Sequence, residues 1–134
     1  MATISELRDG LATNLATISG LRTGATIPEN VNPPFAIIGF DSSEFDVTMR
    51  RGLDMFAFTV TVVVSRADGR NAQNLLDVYC APTGTTSIKT AIESNRTLGG
   101  KANDLRVTGL SNYGNLTIGE VNYLAAEFAV TVYA

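Results

Sequence analysis

The chain has 134 residues, with 13 acidic and 10 basic side chains, one cysteine, and neither His nor Trp. A single cysteine excludes an internal disulfide framework, and without His neither a Cys/His zinc site nor His-based acid–base catalysis exists. A net charge of −3 argues against a protein held to nucleic acid by bulk phosphate neutralisation, which needs clustered Lys and Arg.

The length fits one domain over residues 1–134, large enough to bury a core without staples. Charged residues make up 17% and apolar ones 45%, against roughly 25% charged in an average soluble domain. Two readings follow: less of the surface faces water than in a monomer, or Thr, Ser and Asn do the solvating.

In chain order, Thr3-Ile4-Ser5-Glu6 is a capping box that starts a helix. Ile4, Leu7, Leu11, Leu15 and Ile18 form its apolar stripe, and Gly20 is expected to end it in the left-handed conformation. The start carries Glu6, Arg8 and Asp9 and no apolar run of a secretion signal, so the protein is expected to stay where it is made. Leu21 to Ile27 reads as a short strand, and the Pro28–Pro34 segment as a stiff extended connection. Phe35 to Phe40 is the next strand, and Asp41 to Gly52 reads as an exposed polar loop or hairpin excursion.

From Asp54 to Ser65 the period is two. Phe56, Phe58, Val60, Val62 and Val64 form the core row; Met55, Ala57, Thr59, Thr61 and Val63 form the other. At ~3.3 Å per residue this strand spans roughly 40 Å, the full width of a domain about 36 Å across. The uncharged run from Met55 to Val64 is about half the ~20 residues of a membrane helix, so no membrane span is expected.

Asp68 is placed to cap a helix whose stripe is Ala72, Leu75, Leu76, Tyr79 and Cys80, stopped by Pro82. A shorter helix from Thr86 or Ser87 buries Ile88, Ala91 and Ile92 and ends before Gly99-Gly100. Leu105 to Leu110 reads as a strand, Ser111 to Glu120 as a turn, and Val121 to Tyr133 as a long last strand. That last strand has an apolar row (Leu124, Ala126, Phe128, Val130, Val132) and a mixed row (Tyr123, Ala125, Glu127, Ala129, Thr131, Tyr133). The order predicts an α+β fold: a mixed or antiparallel sheet of four to five strands with helices on one face.

Candidate chemistry is sparse. Cys80 sits near a helix C-terminus, which raises a thiol pKa, and has no His to deprotonate it, so it reads as a small core residue. Asp41, Glu44 and Asp46 lack the spacing, Gly and distal Glu of a calcium loop and read as a solvated acidic cluster. Thr83-Gly84-Thr85-Thr86-Ser87 lacks the Lys of a phosphate-binding loop and reads as a helix cap. Nothing marks a catalytic pair of carboxylates, and neither enzymatic activity nor a cofactor or metal is expected. Arg50-Arg51 reads either as a contact to a neighbour's carboxylates or as solubilising charge.

The order and spacing of several segments resemble the tail terminator proteins of long-tailed bacteriophages. They are Ala16–Arg22, Ile27–Pro34, Arg51-Gly52 before a long strand, Leu75–Tyr79, Ser87–Ile92, Leu98-Gly99-Gly100 and Ala125–Tyr133. The resemblance implies a non-catalytic α+β virion subunit at the head–tail junction. Made in the host cytoplasm, it would form a hexameric ring that caps the finished tail tube, stops its polymerisation and joins the head-completion or neck protein. DNA would pass through the bore without specific binding.

On this reading Met55, Thr59, Thr61, Tyr123, Glu127, Thr131, Arg50 and Arg51 are expected at ring or tube contacts. Asp41, Glu44 and Asp46 are expected to line the bore and repel phosphates. The alternatives are another neck, tail-completion or tail-tube protein, or a small-ligand module with a pocket between helices and sheet.

Overall fold

The Thr3 hydroxyl accepts a hydrogen bond from the Glu6 amide at 3.2 Å, and the first helix, α1 (Ile4–Leu15), starts there. The structure, a computed structural model, describes residues 3–18, 22–24, 35–45, 53–66, 70–84, 87–118 and 121–134. Leu7, Leu11, Leu15 and Ile18 of the expected stripe are buried. Each such side chain contributes about 1.5–3 kcal/mol when fully buried. The helix itself ends at Leu15, ahead of the expected stop; Gly20 lies outside the described residues.

Five strands form one sheet: β1 (Arg22–Gly24), β2 (Phe35–Glu44), β3 (Met55–Arg66), β4 (Asp104–Ile118) and β5 (Val121–Tyr133). Their spatial order is β1-β2-β3-β5-β4, with β1 parallel to β2 and every other pair antiparallel. Two further helices, α2 (Arg70–Tyr79) and α3 (Ile88–Ile92), cross between β3 and β4. The architecture is the expected α+β one, a mixed, mainly antiparallel sheet with its helices packed on one face. The core row of β3 and the apolar row of β5 pack under those helices with Leu7, Leu11, Leu76, Ile88 and Ile92.

Three expectations are corrected. Asp41 to Glu44 is not loop: β2 continues through a bulge at Asp41 and pairs Ser42, Ser43 and Glu44 with Ala57, Phe56 and Met55. Ser111 to Ile118 is not a turn either, because β4 runs on to Ile118 and pairs with β5 through two bulges. Leu75, placed on the buried stripe of α2, is exposed, while Leu76 and Tyr79 are buried. The helix meets the sheet on a narrower face than its apolar residues suggest. Asp68, the expected cap of α2, lies outside the described residues.

Two polar side chains fix the helix layer. Asn14, only 4% exposed, donates through Nδ2 to the carbonyls of Ile92 (2.9 Å) and Asn95 (3.1 Å). A side chain of α1 thus satisfies carbonyls left open where α3 ends. Buried Ser87 caps α3, accepting from the Thr90 amide at 3.2 Å and donating to the Ala81 carbonyl at 2.5 Å. Beneath α1, a Cβ at Gly10 would stand 3.0 Å from the Leu98 Cβ, so this glycine permits the close approach of the turn Leu98–Gly100. Leu98 itself holds φ +51°, a left-handed conformation unusual for a branched side chain.

Candidate assembly surface

The alternation that sends one row of each strand under the helices sends the other row to the opposite face of the sheet. There the register pairs Thr61 with Glu127, Thr59 with Ala129, Ala57 with Thr131 and Met55 with Tyr133. Met55, Thr59, Thr61, Glu127 and Thr131 therefore share one face, all half-buried. Tyr123 stands at the far end of the row, paired with Arg66. Small residues (Ala57, Ala129, Gly39, Gly109) separate the larger ones. Phe35, Val63 and Ala125 are buried yet stand apart from the helix-side core, at the same end of this second face.

Two polar side chains on this face are tied down. The Thr59 hydroxyl donates to the Asp41 carboxylate, and Asn112 Nδ2 donates to Glu127 Oε2 at 2.6 Å. Both partners sit at bulges, which re-aim a side chain where the ladder slips. At the second bulge Asn112 takes φ +53°, and the next residue, Tyr113, swings to the helix side, where its hydroxyl meets Asp77 Oδ1 at 2.5 Å.

The two sides of the sheet differ. Among the described residues β1 covers β2 only at Phe35, Ala36 and Ile37, which leaves Ile38–Glu44 without an outer neighbour. β4 likewise has a strand on one side only. Its lower end is closed by α3: the Val107 amide donates to Glu93 Oε2 at 3.0 Å, while Lys89 Nζ holds Oε1 at 2.6 Å. Burial pushes the Glu93 carboxyl up, but the Lys89 and Val107 bonds, with the charges of Lys89 and Arg96, more than offset it and leave the pKa lowered. From Thr108 onward the edge is open among the described residues. Such edges template pairing with another chain.

Charge differs between the two edges as well. Asp41 and Glu44 are exposed toward the end of β2. Beside β4, Lys89 and Arg96 are paired with Glu93 and Asp104, and exposed Arg106 makes no ion pair among the described residues. Asp46, Arg50 and Arg51 lie outside the described residues.

A recess of about 200 Å³ opens between the end of α2, α3 and β4, lined by Cys80, Pro82, Lys89, Val107, Leu110 and Phe128. Cys80 is half-buried here rather than sealed in the core. Burial first, then the Asp77 charge, pushes its thiol up to about 11, so it is a poor nucleophile at neutral pH. Among the described residues no three of His, Cys, Asp or Glu gather as a metal site, and no helix is long and apolar enough to cross a membrane.

Sequence reasoning found the second face but missed its edges and the recess. Phe45 and Leu110, 71% and 44% exposed, give no signal in the sequence that separates them from core residues. No family model matches the chain, and no curated protein matches it either.

Proposed function

We propose that the protein is a structural subunit that closes into a ring by head-to-tail contacts between copies, and that this ring is the terminator of a long-tailed bacteriophage tail. The single observation that carries the ring is the pair of unlike edges. β2 and β4 lie on opposite sides of the sheet and run in opposite directions. Copies set side by side like barrel staves bring β2 of one antiparallel to β4 of the next, with Ile38 level with Leu110 and Glu44 level with Asp104. That is a heterologous contact, which closes into a ring when the rotation per copy allows and otherwise builds a filament.

The choice of terminator within virion proteins rests on the order and spacing of the segments named above. In this reading the ring is hexameric, caps the tube, stops its polymerisation and docks the neck protein. Met55, Thr59, Thr61, Tyr123, Glu127 and Thr131, with Arg50 and Arg51, serve ring or tube contacts. Asp41, Glu44 and Asp46 border a bore whose negative charge lets DNA slide. The protein does no bond-making chemistry.

Adding the purified protein to assembling tail tubes of the same virus tests the reading. A terminator arrests elongation and is found at tube ends by electron microscopy. A protein that lengthens the tubes or leaves their growth unchanged is not one.

A further inference from the structure

We infer that Asp41 of one copy forms an ion pair with Arg106 of the next. The inference deepens the ring reading and rests on it.

A closed ring has no rise from copy to copy, so with strands set along its axis each β2 residue meets the β4 residue at its own level. The registers give those levels. Ile38 is level with Val60, Phe128 and Leu110; Phe40 with Phe58, Val130 and Val107; Ser42 with Ala57, Thr131 and Arg106. Two neighbours narrow the contact. β1 occupies the β2 edge up to Ile37, and Glu93 holds the Val107 amide at the β4 edge. Among the described residues, both edges are open only where Ile38–Phe40 come level with Thr108–Leu110. Below that window the joint is made by side chains.

Side chains at the window match on both faces of the sheet. On the helix side, Phe40 lies edge-on to the buried Phe58 ring and is 37% exposed, and Leu110 is 44% exposed. Across the joint they are diagonal neighbours at about 7–8 Å, within reach of an aromatic side chain. On the second face, Asp41 stands at the bulge beside Ser42, and its carboxylate accepts from the Thr59 hydroxyl. Arg106, level with Ser42 and opposite Thr131, is exposed on that same face and makes no ion pair among the described residues. The joint thus brings a carboxylate to an unpaired guanidinium, whose planar fork matches carboxylate geometry. Glu44 comes level with Asp104, whose charge Arg96 already offsets at 2.8 Å. Asp41 therefore works in the joint at the rim of the bore, not as free charge inside it. Each copy gives one partner from each edge, so every joint of a closing ring is alike.

Charge reversal tests the pair, read by light scattering after size exclusion at about 0.15 M salt. Asp41→Arg and Arg106→Asp each set like charges at every joint and are expected to elute as single chains. Both positions are exposed, so each variant should keep its far-UV spectrum and a cooperative melt. The double variant Asp41→Arg/Arg106→Asp restores opposite charges and is expected to regain the unsubstituted mass. So is an equimolar mixture of the two single variants, which alternate around the ring so that substituted edges face each other and native edges face each other. Single variants that assemble at the unsubstituted mass, or that fail without recovery in either the double variant or the mixture, overturn the ion pair and leave the ring standing. An unsubstituted protein that is monomeric at every concentration overturns both.

Discussion

Replacing Asn14 with Ala strips from the Ile92 and Asn95 carbonyls the side-chain donor each has among the described residues. The Ile92 bond is buried, so its loss carries the desolvation cost of an orphaned carbonyl, ~1–3 kcal/mol. The Asn95 bond is partly buried, and water can replace it, so its loss costs about 0.5–1 kcal/mol. With the small void left in the α1–α3 contact, the total is about 2–4 kcal/mol, which for a domain of this size lowers Tm by roughly 6–15 °C. Urea unfolding of the wild type and Asn14→Ala checks it. The midpoint should fall with an unchanged slope, since only native contacts differ. A change below about 0.5 kcal/mol would refute the claim that this side chain ties the end of α3 to α1.

A second substitution at the site carries its own sign. In Asn14→Asp a carboxylate would face two carbonyl oxygens in a buried site, which raises its folded-state pKa above the unfolded value. That variant is therefore most stable below the ordinary carboxylate range and loses stability as pH rises through the raised value. A thermal-melt series against pH reads the trend, and a variant that gains stability from pH 4 to 7 relative to wild type would contradict it.

Three other outcomes follow. Gly10→Ala improves intrinsic helix propensity by about 1 kcal/mol but drives a Cβ to 3.0 Å from that of Leu98. Overpacking costs ~1–3 kcal/mol, so the variant is expected to melt lower; a higher Tm would show that the turn yields freely. Glu93→Gln removes a carboxylate whose pKa is lowered in the fold. Its stabilisation is complete above the ordinary carboxylate value of about 4.5 and disappears as pH falls through the lowered one, so the wild type's advantage over Glu93→Gln should shrink in acid. A gap constant from pH 7 to 3 would contradict the ion-paired edge cap. The Cys80 thiol, at about 11 in the fold against an ordinary 9.0, should react with iodoacetamide at pH 8 roughly a hundredfold more slowly than in urea. Equal rates would place it in water.

What the sequence discloses depends on how strongly burial patterns each segment. β3 and β5 each bury most of one row, so period and boundary are legible, and the β5 limits Val121 and Tyr133 emerge unchanged; in α1 the stripe is legible but not the end at Leu15. β4 beyond Leu110 is an edge strand interrupted by two bulges, and each bulge resets the alternation. Ser111, Asn112, Gly114 and Asn115 then read as turn residues although all but the bulged Asn112 stay paired with β5. Asp41–Glu44 is hidden for the same reason, held in the sheet by Met55–Ala57 across the strand rather than by its own composition.

Asn14 could have been found: it falls on the apolar stripe of α1, three residues after Leu11 and four before Ile18, where a polar side chain must meet a buried partner. The second face was visible as a row of small and amphipathic residues, because alternation is a local property. The recess was not, because α2, α3 and β4 meet there from distant parts of the chain. Nor does sequence separate an exposed Phe45 from a buried Phe58.

The most direct measurement of the central claim is the mass of the purified protein by light scattering after size exclusion, over a range of concentrations. The account predicts a closed ring near six copies that does not lengthen into filaments as concentration rises. A single chain whose melting temperature climbs with a small molecule and whose mass never changes, or a tight dimer indifferent to salt, would contradict it.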